Sequence, residues 1–240
     1  MTYKYGISEL RSLIAWQYFY YAWGVANAGS AEQKPLRDDA EAMLERWEGH
    51  SFTHAVIRSL PANSVGDDIV TAELTLPMLR QQSPDYLCLA DYVKPRAMGE
   101  GSIGVFAVTV DATMEELSDA DPYVKMLSQV LADRLAEATA EKVSEVMPGI
   151  RPAVGYPSIP DMSINFLLDR LVDFASIGVR LTESGMMMPH ASVSGLIFPN
   201  PKARYFSVGT VGDDQLADYA QRRGFTLGEM RKYIKDTQKQ

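Results

Sequence analysis

The chain has 240 residues, 46% of them hydrophobic and 22% charged, with a formal net charge of −8 at pH 7. This charge argues against a nucleic-acid partner, because phosphate binding needs clustered Lys and Arg and no such cluster occurs. A single cysteine, Cys88, excludes a disulfide framework and a cysteine-rich metal site within the chain. Its start carries no signal segment and no apolar run approaches the roughly 20 residues of a membrane span, so we expect a cytoplasmic protein without a membrane partner.

Apolar residues at helical spacing predict six helices. They cover residues 8–25, 35–48, 121–146, 163–175, 213–223 and 226–235. The first is dense in aromatic residues, which indicates burial on more than one side. The second predicted helix begins at Pro35, and proline is tolerated in the first turn of a helix. The last opens with Thr226 and Glu229, the residues of a capping box.

Runs of β-branched residues predict the strands. They comprise two strands within 54–74 separated by Pro61, Asn63 and Gly66, a central strand at 102–110, and strands within 179–184, 191–199 and 204–211. Residues 86–101 predict a short helix or strand followed by a glycine-rich loop. Because helices and strands do not alternate in a βαβ rhythm, we predict an α+β fold around a largely antiparallel sheet, with a doubly wound α/β fold as the alternative.

No motif points to an independent catalytic centre. His50 and His54 lie four residues apart, but no third ligand accompanies them and Gly49 precedes them as a helix-ending residue, so we expect no metal site. His190 stands alone in a loop. Neither a GxGxxG loop after a strand nor a GxxxxGK[ST] loop is present, and no nucleophile signature lies beside a histidine. We therefore predict no catalytic residue.

The stretch RPAVGYPSIP at 151–160 is the most unusual segment. Its three prolines fix φ and remove three N–H donors, so it holds an extended shape. Gly155 allows a ligand or another backbone to approach closely, Tyr156 offers a flat face, and the planar fork of Arg151 suits a carboxylate. The residues alone leave two interpretations open: a structural loop, or a rigid binding site for a small molecule.

The longer segment GIRPAVGYPSIPD at 149–161 resembles the RPxxGYP signature of the S-adenosylmethionine-binding activation domain of cobalamin-dependent methionine synthase. Further segments are similar to that family in the same order. They include PANSVGDDI at 61–69, YLCLADYVKP at 86–95, IGVFAVT at 103–109, LADRLAEA at 131–138, ASVSGLIF at 191–198 and DDQLADYAQRRG at 213–224. The likeness covers nearly the whole chain and implies one domain over 1–240.

This resemblance implies a single C-shaped α+β domain, with a twisted, largely antiparallel sheet and flanking helices. It implies S-adenosyl-L-methionine as the ligand and cobalamin as a cofactor carried by a partner. In the family, an electron from flavodoxin or another low-potential donor reduces cob(II)alamin, and the ligand's methyl group passes to the cobalt. The protein positions the reactants, while the cofactors carry the chemistry.

The resemblance also assigns residues. The implied S-adenosylmethionine-binding residues are Arg151, Ala153, Gly155, Tyr156, Tyr205 and Phe206. Within this set, Arg151 would bind the methionyl carboxylate through a charge-assisted contact. Asp133, Glu137 and Tyr156 would face the cobalamin domain, and Glu145 matches a further acid near the ligand groove.

Three departures from the family leave a second function open. Ala15 stands where the family has an Asp that contacts the ligand's amino end, MSIN at 162–165 replaces HTEK, and the linker before Gly149 is shorter. The first hypothesis is a stand-alone reactivation factor, a component of methionine synthase activity acting in trans on a synthase that lacks its own activation domain. The alternative is a binding protein for another corrinoid protein, with weakened or lost S-adenosylmethionine binding. An independent methyltransferase or radical enzyme is disfavoured, because the Rossmann loop and a three-cysteine cluster are absent.

Overall fold

The computed structural model describes residues 1–115 and 121–234. The strands are β1 Thr2–Tyr5, β2 Thr53–Val65, β3 Asp68–Thr71, β4 Thr75–Pro77, β5 Gly101–Val110, β6 Arg180–Leu181, β7 Met187–Met188 and β8 Ser192–Ile197. The α-helices are α1 Ile7–Leu10, α2 Trp16–Ala22, α3 Ser30–Trp47, α4 Pro122–Val146, α5 Ile164–Val172, α6 Asp213–Arg223 and α7 Leu227–Tyr233. None of the helices in these residues combines the length and apolar character of a membrane span.

The main sheet has the strand order β4-β3-β2-β5-β8, and β1 also pairs with β2. Every one of these pairings is antiparallel. The longest pairing joins β2 to β5, from Thr53 opposite Val110 to Ala62 opposite Gly101. The predicted α+β class is therefore confirmed, and the doubly wound alternative is wrong because that fold requires parallel neighbours.

The sheet separates two apolar cores, since successive side chains of a strand point to opposite faces. On β5, Val105 and Ala107 pack into one core while Phe106 and Val108 pack into the other. Helix α5 covers the first face, and α1 to α4 cover the second. Every residue from 103 to 110 is buried, as predicted for a central strand.

Helix α4 lies across the second face and carries several residues of the site described below. Asp121 caps its first turn by accepting a hydrogen bond from the Tyr123 N–H at 2.8 Å, and Pro122 occupies the first helical position. Leu127, Leu131 and Leu135 are spaced for one helical face and are buried against the sheet. The predicted helix over 121–146 is thus confirmed.

The predicted aromatic helix over 8–25 is wrong in its continuity and its burial. The chain forms α1, a 3₁₀ turn at Arg11–Leu13 and α2, with a break at Ile14, which has an extended backbone. Within α2 only Phe19 is buried, whereas Tyr18 and Tyr21 are 59% and 57% exposed. Aromatic density alone does not determine which side chains the rest of the chain covers.

Both prolines assigned to helix starts or turns lie inside regular elements. Pro35 lies within α3, where its missing N–H leaves the Ala31 carbonyl without its helical partner. Pro61 lies within β2 opposite Ser102, and the chain turns instead at Gly66, which has a φ of +59°. The prediction of a strand within 204–211 is also wrong, because this segment joins no β-ladder in the part of the chain that the structure describes.

The other predicted elements are confirmed with shifted ends. Helix α5 is shorter than predicted and is followed by a 3₁₀ turn at Phe174–Ile177. Residues 86–101 contain 3₁₀ turns at Leu89–Tyr92 and Arg96–Met98. Helix α6 matches its prediction, and α7 carries the predicted capping box between Thr226 and Glu229. Lys235, in the predicted range of the last helix, lies outside the described residues.

Candidate functional site

The proline-rich segment 151–158, called the cradle below, lies directly on strand β8. The Val154 N–H donates to Ser194 O at 2.9 Å, and the Leu196 N–H donates to Pro152 O at 3.2 Å. Gly195 makes this contact possible, because a Cβ at that position would lie 2.4 Å from Pro152 O and 3.0 Å from Ala153 Cα. These contacts with β8 therefore fix the position and direction of the cradle relative to the sheet.

A second segment, 205–208, forms the facing wall. The Arg151 N–H donates to the Tyr205 hydroxyl at 2.8 Å, and the Val208 N–H donates to Pro157 O at 2.9 Å. The Ser158 hydroxyl donates to Phe206 O. These bonds replace the ladder that a strand would have provided, which explains how an irregular segment is held in place.

A cavity of about 920 Å³ lies between the two walls and helix α4. Phe106 and Val193 line it from the sheet, Tyr18 lines it from α2, and Tyr205 and Phe206 line it from the second wall. The residues that α4 contributes are Arg134, Glu137, Ala140 and Glu141. Its size falls in the range of small-molecule sites, and it combines aromatic surface with a few charged groups.

Most of the residues predicted for ligand binding meet in this cavity. Arg151, Ala153, Tyr156, Tyr205 and Phe206 all line it. Gly155, also predicted, does not line the cavity but turns the cradle in the left-handed region, with a φ of +85°. Its N–H donates to Ile159 O at 2.7 Å.

Two residues singled out from the sequence lie outside the cavity lining. Ala15 is exposed at the start of α2, where its carbonyl accepts hydrogen bonds from the Tyr18 and Phe19 N–H groups. Glu145 pairs with Lys142 on the surface of α4 at 2.9 Å. It therefore does not line the cavity, although the resemblance placed it near the ligand groove.

Glu141 is the acid that sequence reasoning missed. Its Oε2 lies 2.5 Å from Nη2 of Arg151, whose side chain is only 13% exposed. The signal was present in the sequence, because Asp133, Glu137 and Glu141 recur every four residues and so share one face of a helix.

A smaller cavity of about 270 Å³ adjoins the first and shares Arg134, Glu137, Tyr156 and Val193 with it. Asp133 lines this second cavity. The other distinctive lining residues are His190 and the methionines Met162, Met186 and Met187. Tyr156 is 50% exposed and lies where the two cavities meet.

Burial changes the acid–base properties of this junction. Loss of hydration raises the pKa of Asp133 and of Glu137, while the neighbouring Arg134 guanidinium opposes both shifts. Arg134 Nη1 donates to Glu137 Oε2 at 2.8 Å, and within residues 1–115 and 121–234 its buried Nε has no hydrogen-bond partner. Burial, together with Glu137, also raises the pKa of Tyr156, so its hydroxyl stays protonated at neutral pH.

We expect Asp133→Asn to raise the free energy of unfolding at pH 7. Because the folded-state pKa of Asp133 is raised, the native state binds the proton more tightly and stability falls as pH rises from about 4, the usual carboxyl value. Asparagine cannot titrate, so its advantage over wild type should grow as pH increases through that window. Urea denaturation at several pH values measures this, with the exposed Glu145→Gln as control. An advantage that does not change with pH would contradict the assignment.

No group of three or more His, Cys, Asp or Glu side chains within residues 1–115 and 121–234 is arranged to hold a metal ion. His54 hydrogen-bonds to Asp111 at 2.8 Å. Burial raises the pKa of Cys88 to about 12, so it is a neutral core thiol.

Comparison with known proteins identifies the family. The model of the vitamin B12 dependent methionine synthase activation domain matches residues 6–148 and 142–224. A crystal structure of the MetH reactivation domain bound to AdoHcy is similar with a TM-score of 0.87 and 32% sequence identity, over 97% of this chain and 88% of that one. The resemblance found in the sequence is therefore confirmed, and the chain belongs to the activation-domain family of vitamin B12-dependent methionine synthase.

Proposed function

We propose that this chain binds S-adenosyl-L-methionine in the 920 Å³ cavity and presents its methyl group to a cobalamin held by a partner. The observation that carries the proposal is the mostly buried Arg151 side chain in a cavity that several aromatic rings also line. A relative with 32% identity is bound to AdoHcy, which is S-adenosylmethionine without the methyl group. Because the two molecules differ only by the methyl group, a site for AdoHcy in a relative supports a site for S-adenosylmethionine in this chain.

In this proposal each cradle residue has a separate role. Arg151 binds the carboxylate of the methionyl group, because a guanidinium fork matches the two carboxylate oxygens. The small side chain of Ala153 and the turn at Gly155 leave the backbone of the cradle accessible, so the ligand can lie close to it. Tyr205 and Phe206 offer aromatic faces to the adenine ring.

Tyr156 and the second cavity then mark the direction of transfer. Tyr156 lies at the junction of the cavities, so a methyl group placed beside it would face the cobalamin of the partner. Asp133 and Glu137 face the same side. A cobalamin held by the partner would supply the reduced cobalt that accepts the methyl group, AdoHcy would remain in the cavity, and flavodoxin or another low-potential donor would supply the electron.

We further propose that this partner is a cobalamin-dependent methionine synthase, or a related corrinoid protein, on a separate chain. The role of the present chain is then positioning, because its residues hold the sulfonium and exclude water while the cofactors exchange the methyl group. Mixing the chain with a synthase that lacks an activation domain, a low-potential donor and methyl-labelled S-adenosylmethionine tests this. Label on the cobalamin is the expected result.

We expect Arg151→Ala to weaken S-adenosylmethionine binding by about 10- to 100-fold, since a hydrogen bond to a charged group contributes about 1.5–3 kcal/mol. Isothermal titration measures the loss. Arg204→Ala is the matched control, because Arg204 pairs with Asp85 on the surface and does not line the cavity. Equal affinity of the Arg151 variant and wild type would refute the carboxylate role.

The second candidate is the binding protein without S-adenosylmethionine. It is favoured by Ala15, which offers no charge to the ligand's amino end and lies outside the cavity lining. Titration of folded wild-type protein separates the two functions: no heat at millimolar S-adenosylmethionine leaves only the second.

A further inference from the structure

We infer that Glu141 binds the ammonium group of S-adenosylmethionine, so that Glu141 and Arg151 together recognise the amino-acid end of the ligand. The inference rests on the proposed function and deepens it. It answers a question raised by Ala15: which acid faces the ligand when the position that carries one in the family is an alanine.

The ion pair between Glu141 and Arg151 leaves hydrogen-bonding groups of both side chains available to a ligand. Arg151 uses Nη2 for Glu141 and Nη1 for Gly149 O at 3.3 Å. A guanidinium has five N–H groups, so three remain for a ligand carboxylate. Glu141 accepts from Arg151 through Oε2, and its Oε1 has no protein partner among the described residues.

The charges of the pair match those of an α-amino acid. The ligand's ammonium and carboxylate are attached to one carbon atom, so they lie a few ångströms apart with opposite charge. Glu141 and Arg151 present the complementary charges side by side, at an N···O distance of 2.5 Å. The ligand can therefore place its carboxylate on the guanidinium and its ammonium on the glutamate without breaking the existing pair.

The alternatives for this role are weaker on structural grounds. The acids among the described residues that line the cavity are Glu137 and Glu141. Glu137 is already paired with Arg134, and burial raises its pKa, so its surroundings oppose the charged form that an ammonium needs. The Glu141 side chain is 58% exposed, which leaves its carboxylate accessible to an incoming ligand.

A comparison of two ligands tests the inference directly. The probes are S-adenosylmethionine and its deaminated analogue, which keeps the carboxylate and the sulfonium but lacks the amino group. We expect Glu141→Gln to bind S-adenosylmethionine about tenfold more weakly than wild type and to bind the analogue equally well. Glutamine keeps the shape of the side chain and an oxygen that can accept from Arg151, so Arg151 stays in place while the negative charge is lost.

The matched control is Glu145→Gln, one helical turn further along α4, where the acid pairs with Lys142 outside the cavity. It should bind both ligands as wild type does. If Glu141→Gln weakened the binding of both ligands equally, Glu141 would only orient Arg151. If the variant bound S-adenosylmethionine as tightly as wild type or more tightly, Glu141 would either make no contact with the ligand or compete with its carboxylate for Arg151. Either result overturns the inference while wild-type binding still supports the proposed function. Absence of wild-type binding overturns both.

Discussion

Arg223→Ala is expected to lower the free energy of unfolding by about 3–5 kcal/mol, because it removes one partner of a buried ion pair. The side chains of Arg223 and Asp161 are 5% and 1% exposed, and Nε of Arg223 lies 3.3 Å from Oδ2 of Asp161. Arg223 also donates through Nη2 to the Ser163 hydroxyl at 2.7 Å and to Ser163 O at 3.1 Å. Alanine would leave the Asp161 carboxylate buried without a compensating charge.

The remaining hydrogen-bond donors to Asp161 reduce the expected loss of unfolding free energy but do not abolish it. Its Oδ1 accepts from the Ser163 N–H at 2.8 Å and from the Ser163 hydroxyl, and its Oδ2 accepts from the Tyr219 hydroxyl at 2.8 Å. Burial and the nearby Asp161 charge raise the pKa of Tyr219 well above its usual value, so this hydroxyl remains a donor. Neutral donors cannot replace the missing positive charge beside a buried carboxylate.

The matched control is Arg231→Ala, because Arg231 forms an ion pair with Asp213 in which the two side chains are 54% and 81% exposed. Exposed pairs contribute about 0–1 kcal/mol, so this variant should unfold close to wild type in urea. The contrast between the two variants carries the test, since both remove one arginine from the C-terminal helices. Equal, small effects would show that water reaches Asp161.

The architecture of the sheet could be predicted because strand periodicity and burial act locally. The apolar run at 103–110 indicated a strand buried on both faces, and its alternating side chains indeed enter two different cores. Helix α4 was equally clear, since Leu127, Leu131 and Leu135 are spaced by four residues along one face. In both cases the local preference and the tertiary packing agree.

The errors arose where contacts with distant residues decide the structure. Segment 204–211 has the composition of a strand, yet several of its hydrogen bonds go to Arg151, Pro157 and Ser158 in the cradle. The aromatic helix was predicted as continuous because the pattern cannot show the extended backbone at Ile14. Composition describes what a segment prefers, whereas these positions depend on which partner it meets.

For the site, the resemblance supplied the residue list and the structure supplied their arrangement. Arg151 and Tyr205 are 54 residues apart in sequence, and only the fold shows their hydrogen bond. Glu141 had a visible helical spacing but no assigned role, because its importance depends on its contact with Arg151. The link between Asp161 and Arg223, 62 residues apart, was also beyond any local pattern.

Gly195 is a point of close contact between the sheet and the cradle, and we expect it to affect both stability and binding. A Cβ there would lie 2.4 Å from Pro152 O, 2.9 Å from Phe106 Cε1 and 3.0 Å from Ala153 Cα. Two of these three atoms belong to the backbone of the cradle, which cannot rotate away as a long side chain can. Any larger residue must therefore push the cradle off β8 and break the bonds of Pro152 and Val154 to the strand.

We expect Gly195→Val to lower the free energy of unfolding by about 3 kcal/mol, at the upper end of the usual cost of overpacking, and Gly195→Ala to cost less. Both variants should also lose S-adenosylmethionine affinity under conditions where they remain folded, because Arg151 and Ala153 move with the cradle. Gly228→Ala in α7 is the control, since nothing lies within 4 Å of a Cβ there and alanine favours helices. Urea denaturation and titration of the same samples separate the two effects. If Gly195→Ala kept wild-type affinity despite reduced stability, the cradle would tolerate displacement and its seating on β8 would not determine the ligand site.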